Sequence, residues 1–208
     1  MICSLYYFQG KDNMISYKQL ITYDQKLGFK FVPNLDVTIP GDPENELYSY
    51  KIRTDPYGFR NDGYLDIKTS KKPIYIDNLF LGCSFTAGDG VSNQHRFSDL
   101  MGGSFYNAAI SGSCMVQQVL AGIECSNYFN VKNIFFMPYL GCILRNLEKT
   151  RELPLYGARH RWNKPQVSLK NNILMIENQP IPKPYLLFDK NELISSKRKK
   201  EPSYIKNL

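Results

Sequence analysis

The sequence predicts an α/β fold organised on a short parallel sheet, with an irregular N-terminal segment before it and a hairpin after it. Three observations carry that expectation. Between residues 74 and 146, three apolar runs of strand length alternate with helical patterns. The runs are apolar on both faces, the pattern of strands buried in a parallel sheet and joined by right-handed crossovers. The flanks, 1–73 and 147–208, lose the alternation.

Residues 1–73 are read as an extension of short strands and loops. GFKFVPN, IPGDPENE and RTDPYGFRND are rich in turn formers, and Lys71-Lys72-Pro73 punctuates the chain before the core. The core, 74–146, opens with IYIDNLFLG, an apolar strand ending at Gly82. SNQHRFSDLM is expected as a short helix and SFYNAAI as a second strand. CMVQQVLAGIECSNYF has helical spacing, with an apolar stripe at Met115, Val119 and Ile123. VKNIFFMPYL is the third strand and is nearly all apolar. In 147–208, VSLKNNILMIENQPIP reads as a hairpin turning at Lys170-Asn171-Asn172, followed by a Pro-rich stretch and a basic tail. No internal repeat and no further βα unit is visible.

Composition narrows the function classes. A chain of 208 residues with 43% hydrophobic and 13% aromatic content is a globular protein. No apolar run approaches the ~20 residues needed to cross a bilayer, and MICSLYYFQGKDN lacks the pattern of a cleavable leader. The five cysteines are Cys3, Cys83, Cys114, Cys125 and Cys142; they are odd in number and irregularly spaced. With only His95 and His160 and no CxxC, neither a metal site nor another cofactor is expected, and reduced thiols in a cytoplasmic protein are the simplest reading. Much of the +7 net charge lies in Lys68–Lys72 and Lys197–Lys200. Neither cluster interleaves aromatics, so both read as solvated segments, not a nucleic-acid surface. Steering of an anionic substrate or toward a membrane surface stays open.

The densest chemical signal is LFLGCSFTAGDGV, residues 79–91. A buried strand delivers the chain to Gly82-Cys83-Ser84, and a Gly-rich turn follows. In an open parallel sheet, ligands bind beyond the carboxyl ends of the strands. A hydroxyl there, beside backbone N–H groups, suits an acyl-transfer nucleophile whose developing oxyanion needs donors.

These residues resemble the first block of the SGNH (GDSL-like) hydrolases, a Gly-Asp-Ser core followed by Thr and Gly, with Cys83 where aspartate is commoner. Tyr106-Asn107-Ala108-Ala109-Ile110-Ser111-Gly112 resembles the second block. Arg53-Thr54-Asp55-Pro56-Tyr57-Gly58-Phe59-Arg60 resembles the Thr-Asn-x-x-Gly-Phe-Arg lead-in of a bacterial subset, in which the Lys170–Pro182 hairpin is also matched. The resemblance implies a three-layer α/β/α, flavodoxin-like architecture with a short parallel sheet. It implies Ser84 as nucleophile, and the N–H groups of Ser84 and Gly112 as the oxyanion hole. The substrate would be an acyl or acetyl ester, of a small molecule or a glycan. Two blocks depart from the pattern. Gly141 and Cys142 stand where the third block has Asn and Asp, with Asn146 five residues beyond as a possible support. The terminal Asp-x-x-His is absent, since neither His95 nor His160 has an Asp three residues before it.

Each residue keeps a plainer reading. Ser84 can be a small residue capping a helix, Cys83 a packed thiol rather than a reactive one, and Gly112 a turn glycine. Asp89 reads as a turn residue, and both histidines as surface residues. Three functions follow: a serine esterase or acyltransferase of slow turnover, a non-catalytic SGNH-like binding domain, or a phosphate binder using the Gly-rich turn. The last is weakened because GCSFTAGDG lacks a P-loop ending.

Overall fold

The computed structural model describes residues 20–41, 48–62, 70, 72–155 and 158–186. The opening segment with Cys3, most of the Lys68–Lys72 cluster and the Lys197–Lys200 tail lie outside the described residues.

The chain begins with two antiparallel ribbons. Strands β1 (Ile21–Asp24) and β2 (Gly28–Phe31) pair around a turn that the Asp24 carboxylate closes by accepting from the Lys26 and Leu27 amides at 2.9 Å each. Strands β3 (Asp36–Ile39) and β4 (Tyr50–Arg53) form the second ribbon. The lead-in after β4 then folds around one carboxylate. Buried Asp55 accepts from the amides of Tyr57 (2.9 Å) and Phe59 (3.0 Å), from Asn61 Nδ2 (2.9 Å) and from the Tyr106 hydroxyl (2.7 Å). Four donors on one buried carboxylate tie the N-terminal extension to the core.

The core is a parallel sheet. Strand β5 (Ile74–Gly82) leads into α1 (Ser84–Ala87), a short turn of 3-10 helix at Asn93–His95, and α2 (Phe97–Leu100). Strand β6 (Phe105–Asn107), helix α3 (Met115–Ser126), strand β7 (Phe129–Met137) and helix α4 (Leu140–Leu147) follow. The strand order is β6-β5-β7, all parallel. On one face, α3 comes so close that a Cβ at Gly122 would lie 2.7 Å from Leu81 Cδ1. On the other, Phe80 stacks on Phe135 at 5.1 Å and meets Phe97 edge-on at 5.4 Å.

Two expectations are corrected here. The helix expected over SNQHRFSDLM is broken, because Arg96 is extended between the 3-10 turn and α2; its buried guanidinium is held by Asp99 at 2.8 Å. The stripe at Val119 and Ile123 faces outward. Helix α3 instead buries Gln117, Gln118, Ala121 and Cys125. Gln117 is accommodated because its Nε2 donates to the Leu27 carbonyl at 2.7 Å and its Oε1 accepts the Cys114 amide at 2.9 Å.

Strands β8 (Thr150–Leu155) and β9 (Ala158–Asn163) form a hairpin, and β10 (Gln166–Lys170) and β11 (Ile173–Glu177) a second; β12 (Tyr185–Leu186) adds to β9. The second hairpin turns at Asn171 and Asn172, both at positive φ, the conformation a two-residue turn of primed type requires. Phe29, Leu79, Tyr106, Leu153 and Trp162 share one core cluster, so the flanks and the parallel sheet are packed together. Among the described residues, no helix is long and apolar enough to cross a membrane.

Candidate functional site

Strand β5 ends at Gly82 with no room for a side chain: a Cβ there would lie 2.0 Å from Thr86 Oγ1. The chain therefore turns tightly, with Cys83 as N-cap and Ser84 as the first helical residue at the carboxyl end of the sheet. After β6, the amides of Ala108 and Ile110 donate to the carbonyls of Phe80 (2.9 Å) and Gly82 (3.2 Å). That ladder brings the Ser111-Gly112-Ser113 turn beside the Ser84 turn, and Ser113 Oγ donates to the Gly82 carbonyl at 3.3 Å. Gly112 has φ 79°, a left-handed conformation that favours glycine. Among the described residues, neither the Ser84 nor the Gly112 amide donates to a carbonyl, although both residues are largely buried.

Behind the turn stands a buried cation that the sequence reading had placed only in a lead-in motif. Arg60 donates to the Gly88 carbonyl at 2.7 Å, the Val91 carbonyl at 2.9 Å and Asn93 Oδ1 at 2.9 Å. Burial and the neighbouring Arg96 lower its guanidinium to about 10. This clamp fixes the Gly-rich turn 88–91.

Asp89 is the residue whose role in this region the sequence did not show. Ser111 Oγ donates to its Oδ1 at 2.6 Å, and its own amide donates to the Ser84 carbonyl at 2.9 Å. Loss of solvent around the carboxyl raises it to about 6, opposed by the Ser111 hydrogen bond and by Arg60. The residue as a whole is exposed at the turn, so water screens part of that effect. The sequence signal was present, an acid between Gly88 and Gly90, but such an acid is ordinary turn chemistry.

The other expected residues are dispersed around this centre. Cys83 is buried and hydrogen-bonds to Cys142 of α4, which with burial pushes its thiol up. Cys142 is drawn down by that hydrogen bond and is also approached by Arg145 Nη1 at 3.9 Å. Asn146 Oδ1 faces the Val116 amide at 3.4 Å, at the start of α3. Gly141 lies in the first turn of α4, where a Cβ would meet the Tyr139 ring at 2.3 Å. The Tyr139 ring packs against Phe85 at 5.5 Å, so an aromatic ring fills the space toward which a side chain at 141 would project.

The Ser84 hydroxyl makes no side-chain hydrogen bond among the described residues. His95 is exposed on its 3-10 turn. His160 is the cross-strand partner of Leu153, whose Cδ2 lies 3.5 Å from where a Gly112 Cβ would stand. An open hollow of about 510 Å³ lies between α1 and the end of β7, lined by Phe85, Thr86, Phe97, Phe136, Met137, Pro138 and Tyr139. It neighbours Ser84 without including it and is mostly apolar. Among the described residues, no group of three His, Cys, Asp or Glu side chains converges as a metal site would require. No protein-family model matches the sequence, and no curated protein matches it.

Proposed function

We propose that the chain is an SGNH-type serine ester hydrolase of slow turnover, acting on an acyl or acetyl ester of a small molecule or carbohydrate. Its finer architecture in this reading is the flavodoxin-like, three-layer arrangement. Ser84 attacks the ester carbonyl, and the Ser84 and Gly112 N–H groups receive the oxyanion. The observation that carries the reading is the meeting of two turns at one end of the sheet: among the described residues, the Ser84 hydroxyl has no side-chain partner and the Ser84 and Gly112 amides have no carbonyl acceptor. The hollow beside Phe85 suits a short acyl chain.

Slow turnover follows from what Ser84 lacks. Among the described residues no histidine hydrogen-bonds to its hydroxyl, and Tyr139 takes the space where an amide from position 141 would complete the oxyanion hole. Losing one such donor costs roughly 100- to 1000-fold in turnover. A serine without its base retains about 10³-fold over water from the oxyanion hole and binding. The same observations favour a second reading, a binding domain that holds an ester or anion between the two turns without turnover.

The test is hydrolysis of p-nitrophenyl acetate and butyrate by wild type, Ser84→Ala, Asp89→Asn, His95→Ala and His160→Ala. Slow turnover abolished by Ser84→Ala and untouched by either histidine change is the expected result. Equal background rates in all five leave the binding domain. Fast turnover lost with one histidine refutes the absence of a base and names it.

A further inference from the structure

The structure has two apolar surfaces that nothing in the described chain covers. The first is one face of the β10–β11 hairpin. Its register sets Val167 opposite Ile176 and Leu169 opposite Leu174, so these four side chains share a face. Leu169 and Leu174 are 68% and 70% exposed. The opposite face is mixed: Glu177 accepts from Ser168 Oγ at 2.6 Å and pairs with Lys170 at 2.8 Å, while Ile173 and Met175 on the same face are also exposed. A solvated two-stranded hairpin this rich in apolar side chains is at best marginally stable, and its wholly apolar face requires a cover.

The second surface runs over α4 and β7. Leu140, Ile143, Leu144 and Leu147 stand at i, i+3, i+4 and i+7, one helical stripe, and are 50% to 82% exposed. On β7, the strand that leads into α4, Ile134 and Phe136 are 62% and 40% exposed, and the second edge of that strand pairs with no other described strand. Val119 and Ile123 of α3 also face outward.

The two surfaces are close in the fold. Lys164, at the root of the hairpin, donates from Nζ to the carbonyl of Arg145 near the end of α4, and Asn178 Nδ2 donates to the Lys164 carbonyl at 2.9 Å. The hairpin thus leaves the body beside α4, yet neither apolar face closes on the other within one chain.

We propose that two copies of this chain pair by reciprocal exchange, each β10–β11 hairpin laying its apolar face on the α4–β7 surface of the other. A two-fold axis makes both contacts at once and satisfies both surfaces with one operation. The area is adequate: the side chains named above expose on the order of 800 Å² per protomer, the share one partner contributes to a standard interface. This inference does not depend on the catalytic reading.

Sedimentation velocity of the full 208-residue chain should give a dimer at micromolar concentration. Leu144→Glu changes the α4 surface and Leu169→Lys the hairpin face, and each alone should give a monomer. Both side chains are more than 60% exposed, so the circular dichroism spectrum of the monomer should match that of wild type, and its urea midpoint should match the value that wild type approaches on dilution. Mixing the two variants should restore a dimer containing one of each, because the Leu144→Glu copy keeps a sound hairpin and the Leu169→Lys copy a sound α4 surface. Native mass spectrometry reads that mixed species directly. A monomeric wild type overturns the proposal, whether another polypeptide or the chain's own terminus proves to be the cover. So does a Leu169→Lys dimer, or a mixture that stays monomeric.

Discussion

Strands β5 and β7 lie side by side in one sheet, each nine residues long and rich in apolar side chains. From Leu79 to Gly82, β5 is wholly buried, under α3 on one face and α2 on the other. Only Phe129 of β7 is buried, and its apolar side chains from Ile134 to Met137 reach water in varying degree. Composition therefore records the environment for which a strand is built, and the cover it finds within one chain is a separate fact. A strand whose second half is apolar, as β7 is from Ile134 to Met137, is at an open edge a surface waiting for a partner.

The largest effect expected from that contrast is on stability. Phe80→Ala on β5 removes a fully buried ring that touches Phe97, Phe105 and Phe135, and should cost about 4 kcal/mol. Phe136→Ala on β7 should cost under about 1 kcal/mol in the monomeric Leu144→Glu background, where its ring is partly in water. Urea midpoints of the two variants measure the difference, and equal losses would mean that β7 is covered after all. Next in size is the lead-in. Asp55→Ala leaves the Tyr106 hydroxyl, the Asn61 amide and two backbone amides without their acceptor and should cost about 3 kcal/mol. A loss no larger than that of an exposed substitution would mean that the lead-in does not anchor the core.

How much of this was legible follows the same division. The three parallel strands and the turn at Asn171-Asn172 are written in local pattern: apolar runs, glycines, and residues that tolerate positive φ. The outward stripe of α3 was not legible, because Met115, Val119 and Ile123 have the spacing of a core face; Gln117 takes the inward side through a partner far away in sequence, the Leu27 carbonyl. At the site, Ser84 and Gly112 stand in compact motifs beside glycines. Arg60 and Asp89 could not be read, since their roles come from contacts with Gly88 and Ser111 that only the folded chain creates. The filling of the space at Gly141 by Tyr139 is likewise a packing event without a sequence signature.

The smallest predicted effect is electrostatic and distinguishes Asp89 from the carboxylates on the open ribbons. Asp24 of the β1–β2 turn is held below the usual range by the Leu27 and Lys26 amides and by Lys30, against the opposing effect of burial. Asp89 is shifted the other way, to about 6, by loss of solvent around its carboxyl. The signs differ accordingly. A lowered carboxylate adds stability above its unfolded value and loses it as pH falls through the folded value. A raised one makes the folded state bind more protons, so its contribution is most favourable below the unfolded value of 3.8 and declines as pH rises toward about 6, then stays level. Asn mimics the protonated acid, and its side-chain oxygen can still accept from Ser111. Asp89→Asn should therefore match wild type in melting temperature near pH 4 and melt slightly higher at pH 7, by an amount kept small because the residue is exposed at its turn. Thermal melts at half-unit pH steps give the difference curve, in which the other carboxylates cancel. A difference that is flat with pH, or largest at pH 4, would show that the Asp89 carboxyl is solvated like any turn aspartate and does not titrate as part of the Ser84 site.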